Sequence, residues 1–347
     1  MLIRRITLGV LSAMSSFAAY SDAVKIGAVV LDDITSMPMS DVDVCFSFKE
    51  DVGWRAWTES SKHQKTYCRT DSKGYCQMTG TSNCGQAGCY VKNPPDGYYH
   101  PALGWKNKFA NKNLFGVWQP DNLVATIRLQ RVEHPIPLFV KNVGDHINRS
   151  RVGNWNGTNM VFRYDFVKGD YLPPDGKGEI ADVEVDSRVT YLETTNVYHE
   201  AKTFFDLTSV ISFPGEGNGL IPVITEPTDG IKLRVAPTTG YERAFALKCG
   251  TRKQPSGIHL FRKRYSETDP NRCHYFRIRS RFNEKGNLIE AYYGKIYEDF
   301  KVSGSLKDGC SVEFLYYLNL NPLDRNLEWD MENNLCPNPS LFRQFQP

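Results

Sequence analysis

Apolar and polar residues alternate with period two through most of this chain. From Val24 the sequence reads VKIGAVVLDDITSMPMSDVDVCFSF, a β-branched run, a turn-rich break and a second run. In the second run Val42, Val44, Phe46 and Phe48 alternate with Asp43, Cys45 and Ser47. Alternation of this kind puts one face in a core and the other in water, as in a half-buried strand. Further strands are expected at Lys65–Arg69, Tyr75–Met78, Cys89–Lys92 and Leu123–Arg131. Later, MVFRYDFV, DVEVDSRVTYL, TSVISF, GIKLRV, ERAFALKC, HYFRIRSRF, AYYGKIY and SVEFLYYL read the same way. Between them stand the turn sequences PPDG (173–176), GEGNG (215–219), PTDG (227–230) and NEKG (283–286), whose Pro, Asp, Asn and Gly supply turn geometry. Long helical periodicity is absent. Turns at intervals of about ten residues favour sandwiches.

The first residues break this pattern. Arg4 and Arg5 precede an uncharged apolar run from Ile6 to Ala19 that ends among small residues. That order is a secretory signal peptide in form, and the run is too short for a bilayer, which takes roughly 20 residues. Residues 1–23 are therefore expected to be removed, leaving a secreted, periplasmic or cell-surface protein. The formal charge of the whole chain is +3, and loss of Arg4 and Arg5 lowers it to +1. A field so weak gives no reason to expect nucleic acid as a partner. The length suggests two domains. The segment GDHINRSRVGNWNGTN is polar and Gly/Asn-rich without periodicity, which marks a linker. The expected division is a first domain at 24–142, a linker at 143–157 and a second domain at 158–347.

Nine cysteines in an exported chain read first as a disulfide framework. Five lie early (Cys45, Cys68, Cys76, Cys84, Cys89) and four late (Cys249, Cys273, Cys310, Cys336), so the odd thiol falls in the first half if bridges stay within halves. Their spacings do not match the paired cysteines of a zinc site. Cys68 and Cys76 flank the turn TDSKG. If that turn closes a two-stranded hairpin with Gly74 left-handed, the two cysteines sit diagonally at roughly 7–8 Å. A bridge usually spans about 4.4–6.8 Å between Cα atoms. The expectation is that they do not bond to each other, and that Cys76 occupies a core position as a small hydrophobe or bridged to a neighbouring strand.

The first third also carries a family resemblance. Gly27 and Val29, Val42 and Val44, Thr70, Asp71 and Gly74, and Gly97 with Tyr98 together resemble the transthyretin-like sandwich known as the carboxypeptidase regulatory-like domain, over roughly Val24 to Arg131. The resemblance implies a seven-stranded accessory or binding unit without catalytic residues. An insertion, Pro101–Asp121, departs from the pattern and is long for a loop, so a binding surface is sought there first. The second half resembles a group of secreted bacterial proteins of unknown role, which implies no mechanism. The expected fold is all-β: a transthyretin-like or Ig-like β-sandwich, then a larger β-rich domain, sandwich or jelly-roll-like.

Motifs for catalysis are missing. There is no GxSxG elbow; His199 and Glu200 lack the second histidine of a zinc protease; GEGNG lacks the Lys-Ser or Lys-Thr of a phosphate loop. Asp165, Asp170, Asp175, Glu179, Asp182, Glu184 and Asp186 crowd together. Two of them could act as a glycosidase pair, several could bind calcium, and their alternation with Ile180, Ala181, Val183 and Val185 favours a solvated strand face. Period two in YFRIRSRF places Arg277, Arg279 and Arg281 on one face, near Tyr292 and Lys295, where they either hold an anion or pair with Glu290 and other acids. Trp54, Trp57, Tyr98, Tyr99 and Trp105 stand on polar loops, where large rings often mark contacts.

These features together point to a non-catalytic binding or surface-interaction protein. Its ligand would be a glycan or another extracellular protein, no cofactor is expected, and the candidate contacts are those five aromatic residues with Arg277, Arg279 and Arg281. Two other readings remain open at this level: an exported hydrolase using the acidic cluster, and a structural protein of the cell surface.

Overall fold

The computed structural model describes residues 22–55, 58–99, 104–114, 116–144, 159–197, 200–225, 233–256, 259–305 and 309–338. Residues 1–21 of the expected leader, most of the expected linker and Trp57 lie outside them. The described residues form strands and turns with no helix, so the protein is all-β. None of them makes a helix long and apolar enough to cross a membrane. The chain forms two compact units, the first ending at Glu133 and the second beginning at His134.

The first unit is built from β1 (Ala23–Asp32), β2 (Asp43–Arg55), β3 (Thr58–Arg69), β4 (Tyr75–Thr81), β5 (Gln86–Asn93), β6 (Trp105–Lys108), β7 (Asn111–Lys112), β8 (Trp118–Gln119) and β9 (Leu123–Leu129). One sheet has the order β4-β1-β9, with β9 parallel to β1, and the other the order β3-β2-β5-β6. Val24, Ile26, Ala28 and Val30 of β1 meet Val44, Phe46 and Phe48 of β2, with Ala87, Val91, Ile127 and Leu129. The alternation read from Val42 to Phe48 is the sandwich interior.

The TDSKG turn forms as expected at its centre. Asp71 accepts from the amides of Lys73 and Tyr75, and Gly74 is left-handed at φ 67°. Its flanking strands, however, belong to different sheets: β3 pairs with β2, and β4 pairs with β1. The turn is an arch between sheets rather than the end of a hairpin. Cys68 and Cys76 therefore face each other across the sandwich, with Cα atoms 6.2 Å apart, and form a disulfide. The expectation that they stay unbonded is corrected by this geometry. Closing so short a loop stabilises by about 2–3 kcal/mol on the chain-entropy account. Beyond this bridge, Cys45, Cys84, Cys89, Cys273 and Cys336 form no disulfide among the described residues.

The edge of the first unit is closed by a buried carboxylate. Asp32 accepts from the Thr35 amide and hydroxyl, the Tyr98 hydroxyl at 2.6 Å and Arg131 at 2.7 Å. Burial pushes its pKa up, but these bonds, led by the Thr35 amide, outweigh that and hold it well below the usual range.

The second unit contains β10 (Ile136–Val143), β11 (Asn159–Asp165), β12 (Asp170–Tyr171), β13 (Val183–Val197), β14 (Glu200–Ser212), β15 (Gly219–Ile224), β16 (Ala244–Ser256), β17 (His259–Ser266), β18 (Arg272–Phe282), β19 (Leu288–Ser305), β20 (Gly309–Asn319) and β21 (Trp329–Asn334). Two six-stranded sheets, β15-β18-β19-β20-β10-β21 and β12-β11-β13-β14-β16-β17, enclose an aromatic core. Its centre is Tyr164, Phe166, Phe213, Phe276, Phe314 and Tyr316. β10, which the sequence reading placed in the first domain, pairs here with β20 and β21. The outer face of the β18–β19–β20 sheet is also covered, by Leu233, Ala236, Leu327 and Trp329.

Candidate functional site

Strand register assembles a site on the outer face of the β3-β2-β5-β6 sheet. Because β2 buries Val44, Phe46 and Phe48, its alternate residues Cys45, Ser47 and Lys49 point away from the core. Opposite Ser47 stand Lys65 on β3 and Gly88 on β5, and Gly88 faces Lys106 on β6. The next row runs His63, Lys49, Gln86, Lys108. Tyr67, Cys45 and Tyr90 make the row on the other side. Two central rows therefore carry four lysines and a histidine, and no carboxylate.

The middle of this face is low and its sides are high. Ser47 and Gly88 floor a cleft of about 480 Å³ that His63, Tyr90, Trp105, Lys106 and Lys108 also line. Gly88 has a packing reason to be glycine: a Cβ there would lie 2.6 Å from the Trp105 carbonyl oxygen, so any side chain would push β6 off the sheet edge. Lys65, Lys106, Lys108 and His63 are exposed. Within the cleft Ser47 Oγ lies 3.0 Å from His63 Nδ1. Acids on this face sit at its ends, Asp43 bonded to Arg69 at 3.0 Å and Asp51 at 3.6 Å from Lys49. Nearby Lys92 lies over the Tyr67 ring at 5.2 Å.

The aromatic residues singled out in the sequence are scattered. Trp105 lines the cleft and leans on the core. Tyr98 bonds Asp32 and stacks with Arg131, and Tyr99 is buried. The side chain of Trp54, like Trp57, lies outside the described residues. The Pro101–Asp121 insertion supplies β6 and hence one side of the cleft.

The arginine row does not form one face. A bulge between Ile278 and Arg281, with Arg279 at φ 52°, interrupts the alternation. Arg277 donates to the Gly217 and Thr238 carbonyls and lies over Tyr241 at 4.5 Å. Arg279 turns to Asp165 at 2.6 Å and Asp182 at 2.9 Å. Arg281 pairs with Glu290, as the register suggested. Lys295 is fully buried instead of standing beside them, between Tyr275 and Tyr317 of the adjacent strands.

The acidic cluster is likewise spent on structure. Asp165 accepts the amides of Val167, Lys168, Glu179 and Ile180 as well as Arg279. Burial raises its pKa, yet the Lys168, Glu179 and Ile180 amides with Arg279 hold it below the ordinary value. For Asp182 burial wins, and its pKa stays above the ordinary value despite Arg279. Glu184 pairs with Arg163 and Asp186 with Arg188. Another buried carboxylate, Asp299, takes His274 at 2.8 Å and Arg272. That Asp-His pair packs against the Phe245 and Phe300 rings, and among the described residues His274 Nδ1 has no hydrogen-bond partner. Among the described residues no three His, Cys, Asp or Glu side chains gather as a metal site.

No known protein family matches the sequence, and no curated protein does. Among solved structures, the C-terminal domain of the shaft pilin of Lactobacillus rhamnosus GG matches at 14% identity and TM-score 0.22, over 31% of this chain and 98% of that one. The streptococcal ancillary pilin matches at 11% and 0.21, over 53% of this chain and 59% of its own. The major pilin subunit of Bacillus cereus matches at 10% and 0.22, over 84% and 95%. TM-scores of this size carry no argument about fold or function.

Proposed function

We propose that this is an exported, non-catalytic protein of the cell surface, in which the first unit binds a partner on its lysine-lined sheet and the second is scaffold. The observation that carries the reading is a contrast in how charge is used. In the second unit the buried carboxylates Asp165, Asp182 and Asp299 are closed into networks with Arg279, Arg272, His274 and backbone amides. On the first unit, exposed Lys106 and Lys108 line a formed cleft and exposed Lys65 stands opposite Ser47 of its floor, with no carboxylate in their rows. The seven strands of its two sheets also support the transthyretin-like reading, whose family uses such a unit for accessory or binding roles. The signal-peptide form of residues 1–23 supports export.

Retention on isolated envelopes of the producing cell tests this. The full chain is expected to sediment with envelopes, and K65Q/K106Q/K108Q to lose most of that retention with an unchanged melting curve, since exposed substitutions usually move stability by under about 0.5 kcal/mol. Equal retention of the triple variant, or turnover of an envelope component by the chain, overturns the reading.

A further inference from the structure

We infer that the occupant of the lysine-lined cleft is an acidic polysaccharide chain, one bearing a carboxylate on successive sugars such as a polyuronate. The inference rests on the proposed binding role and adds its chemical class. The two outer strands of the sheet are three strand spacings apart, roughly 14 Å. Lys65 and His63 rise on one side and Lys106 and Lys108 on the other, each pair separated by two residues along its strand, roughly 7 Å. A low lane runs between them over Ser47 and Gly88. Along the strands the lane passes from Tyr90 at one end to Lys49 and Gln86 at the other, so a ring face and charge lie along its length, as several linked sugars need. In an extended chain with two-fold screw symmetry, substituents on successive rings point to opposite sides. Alternate carboxylates would then meet opposite rows of cations.

The remaining lining fits sugar more closely than peptide or nucleotide. The Tyr90 ring at one end offers a flat face for sugar C–H groups. Ser47 and Gln86 supply hydroxyl and amide groups for ring hydroxyls. Gly88 leaves the backbone bare, so a ring can approach it. The volume lies in the range of small-ligand clefts, roughly 300–1,000 Å³, enough for a short stretch of chain. Lysine ammonium groups bind carboxylates as point charges without demanding a fixed fork geometry, which suits a repeating polymer sliding between registers.

The test is calorimetric titration of the full chain with a tetragalacturonate, against cellotetraose, a tetraglutamate peptide and a tetradeoxynucleotide. The expected result is binding of the uronate alone, weakened at least tenfold in K65Q/K106Q/K108Q and weakened with rising salt. G88A, which displaces β6, is expected to weaken it as well. Equal binding of cellotetraose, preference for the peptide or nucleotide, no uronate binding, or indifference to the lysine substitutions overturns the inference. Failure of the ligand class is separable from failure of the binding role: loss of envelope retention in the triple variant with no uronate binding rejects the polyuronate alone.

Discussion

Replacing Arg279 with methionine is expected to cost about 3–5 kcal/mol of folding stability, the range for stripping one partner from a buried charge group. Arg279 is the sole guanidinium described against Asp165 and Asp182, whose side chains are 0% and 1% exposed. Asp165 keeps four backbone amides without it, but Asp182 keeps only the Phe166 amide. The larger part of the loss is therefore assigned to Asp182. R279M/D182N is expected to recover part of it, and a double-mutant cycle in urea reads the coupling directly. For a protein whose whole stability is about 5–15 kcal/mol, the single variant is severely destabilised. A loss under about 1 kcal/mol would show that water reaches the site and that the network is not structural.

Lys295→Met is expected to do the opposite and stabilise. The ammonium is enclosed by Tyr275 and Tyr317, 4.9 Å from the Tyr317 ring centroid, and its Nζ has no hydrogen-bond partner among the described residues. Burial pushes its pKa from 10.5 down to about 7, only partly opposed by Cys273 and Glu328. Between pH 7 and 10.5 the unfolded chain holds a proton there that the folded chain has released. Stability must therefore rise with pH in that window, by about 1.4 kcal/mol per unit at full slope. Below pH 7 both states are protonated and the whole penalty remains. Buried thiols work against the trend at higher pH. Cys89, pushed up to about 12 chiefly by burial, keeps its proton when the unfolded thiol has lost it. The useful range is thus pH 7–8.5. K295M is expected to raise stability at pH 7 by about 3 kcal/mol and to flatten the slope in that range. Urea midpoints at four pH values decide it, and an unchanged slope would mean that Lys295 stays charged in the folded state.

Much of the architecture was legible in the residues. Alternation from Val42 to Phe48 is the interior of the first sandwich, and strands in the second half fall where apolar residues alternate, except at GIKLRV, whose described residues Leu233–Val235 make only an isolated bridge at Val235. Legibility ended where sheets had to be assigned. Cys68 and Cys76 flank a turn whose chemistry is clear, yet whether β3 and β4 pair or part is decided by β1 and β2, which lie elsewhere in the sequence. Period two failed at Arg279 because a left-handed residue reverses the alternation, and the reward for that strain, two buried carboxylates on other segments, leaves no local mark. Lys295 reads locally as an exposed member of an alternating strand. It is buried because irregular segments around Leu233 and Leu327 cover a sheet face that the alternation alone would leave to solvent. The candidate site was hidden in a different way. Lys65, Lys106 and Lys108 come from two distant segments, and a net charge near zero averages away a local excess that only strand register concentrates.

Lysine acetylation of the envelope-bound chain, read residue by residue against the free chain, tests whether the lysine-bearing sheet of the first unit makes the contact. Lys65, Lys106 and Lys108 are expected to become protected on binding while Lys177 and Lys285, exposed lysines of the second unit, react as before. Protection of Lys177 and Lys285 with Lys65, Lys106 and Lys108 still fully reactive would move the contact to the second unit and contradict it.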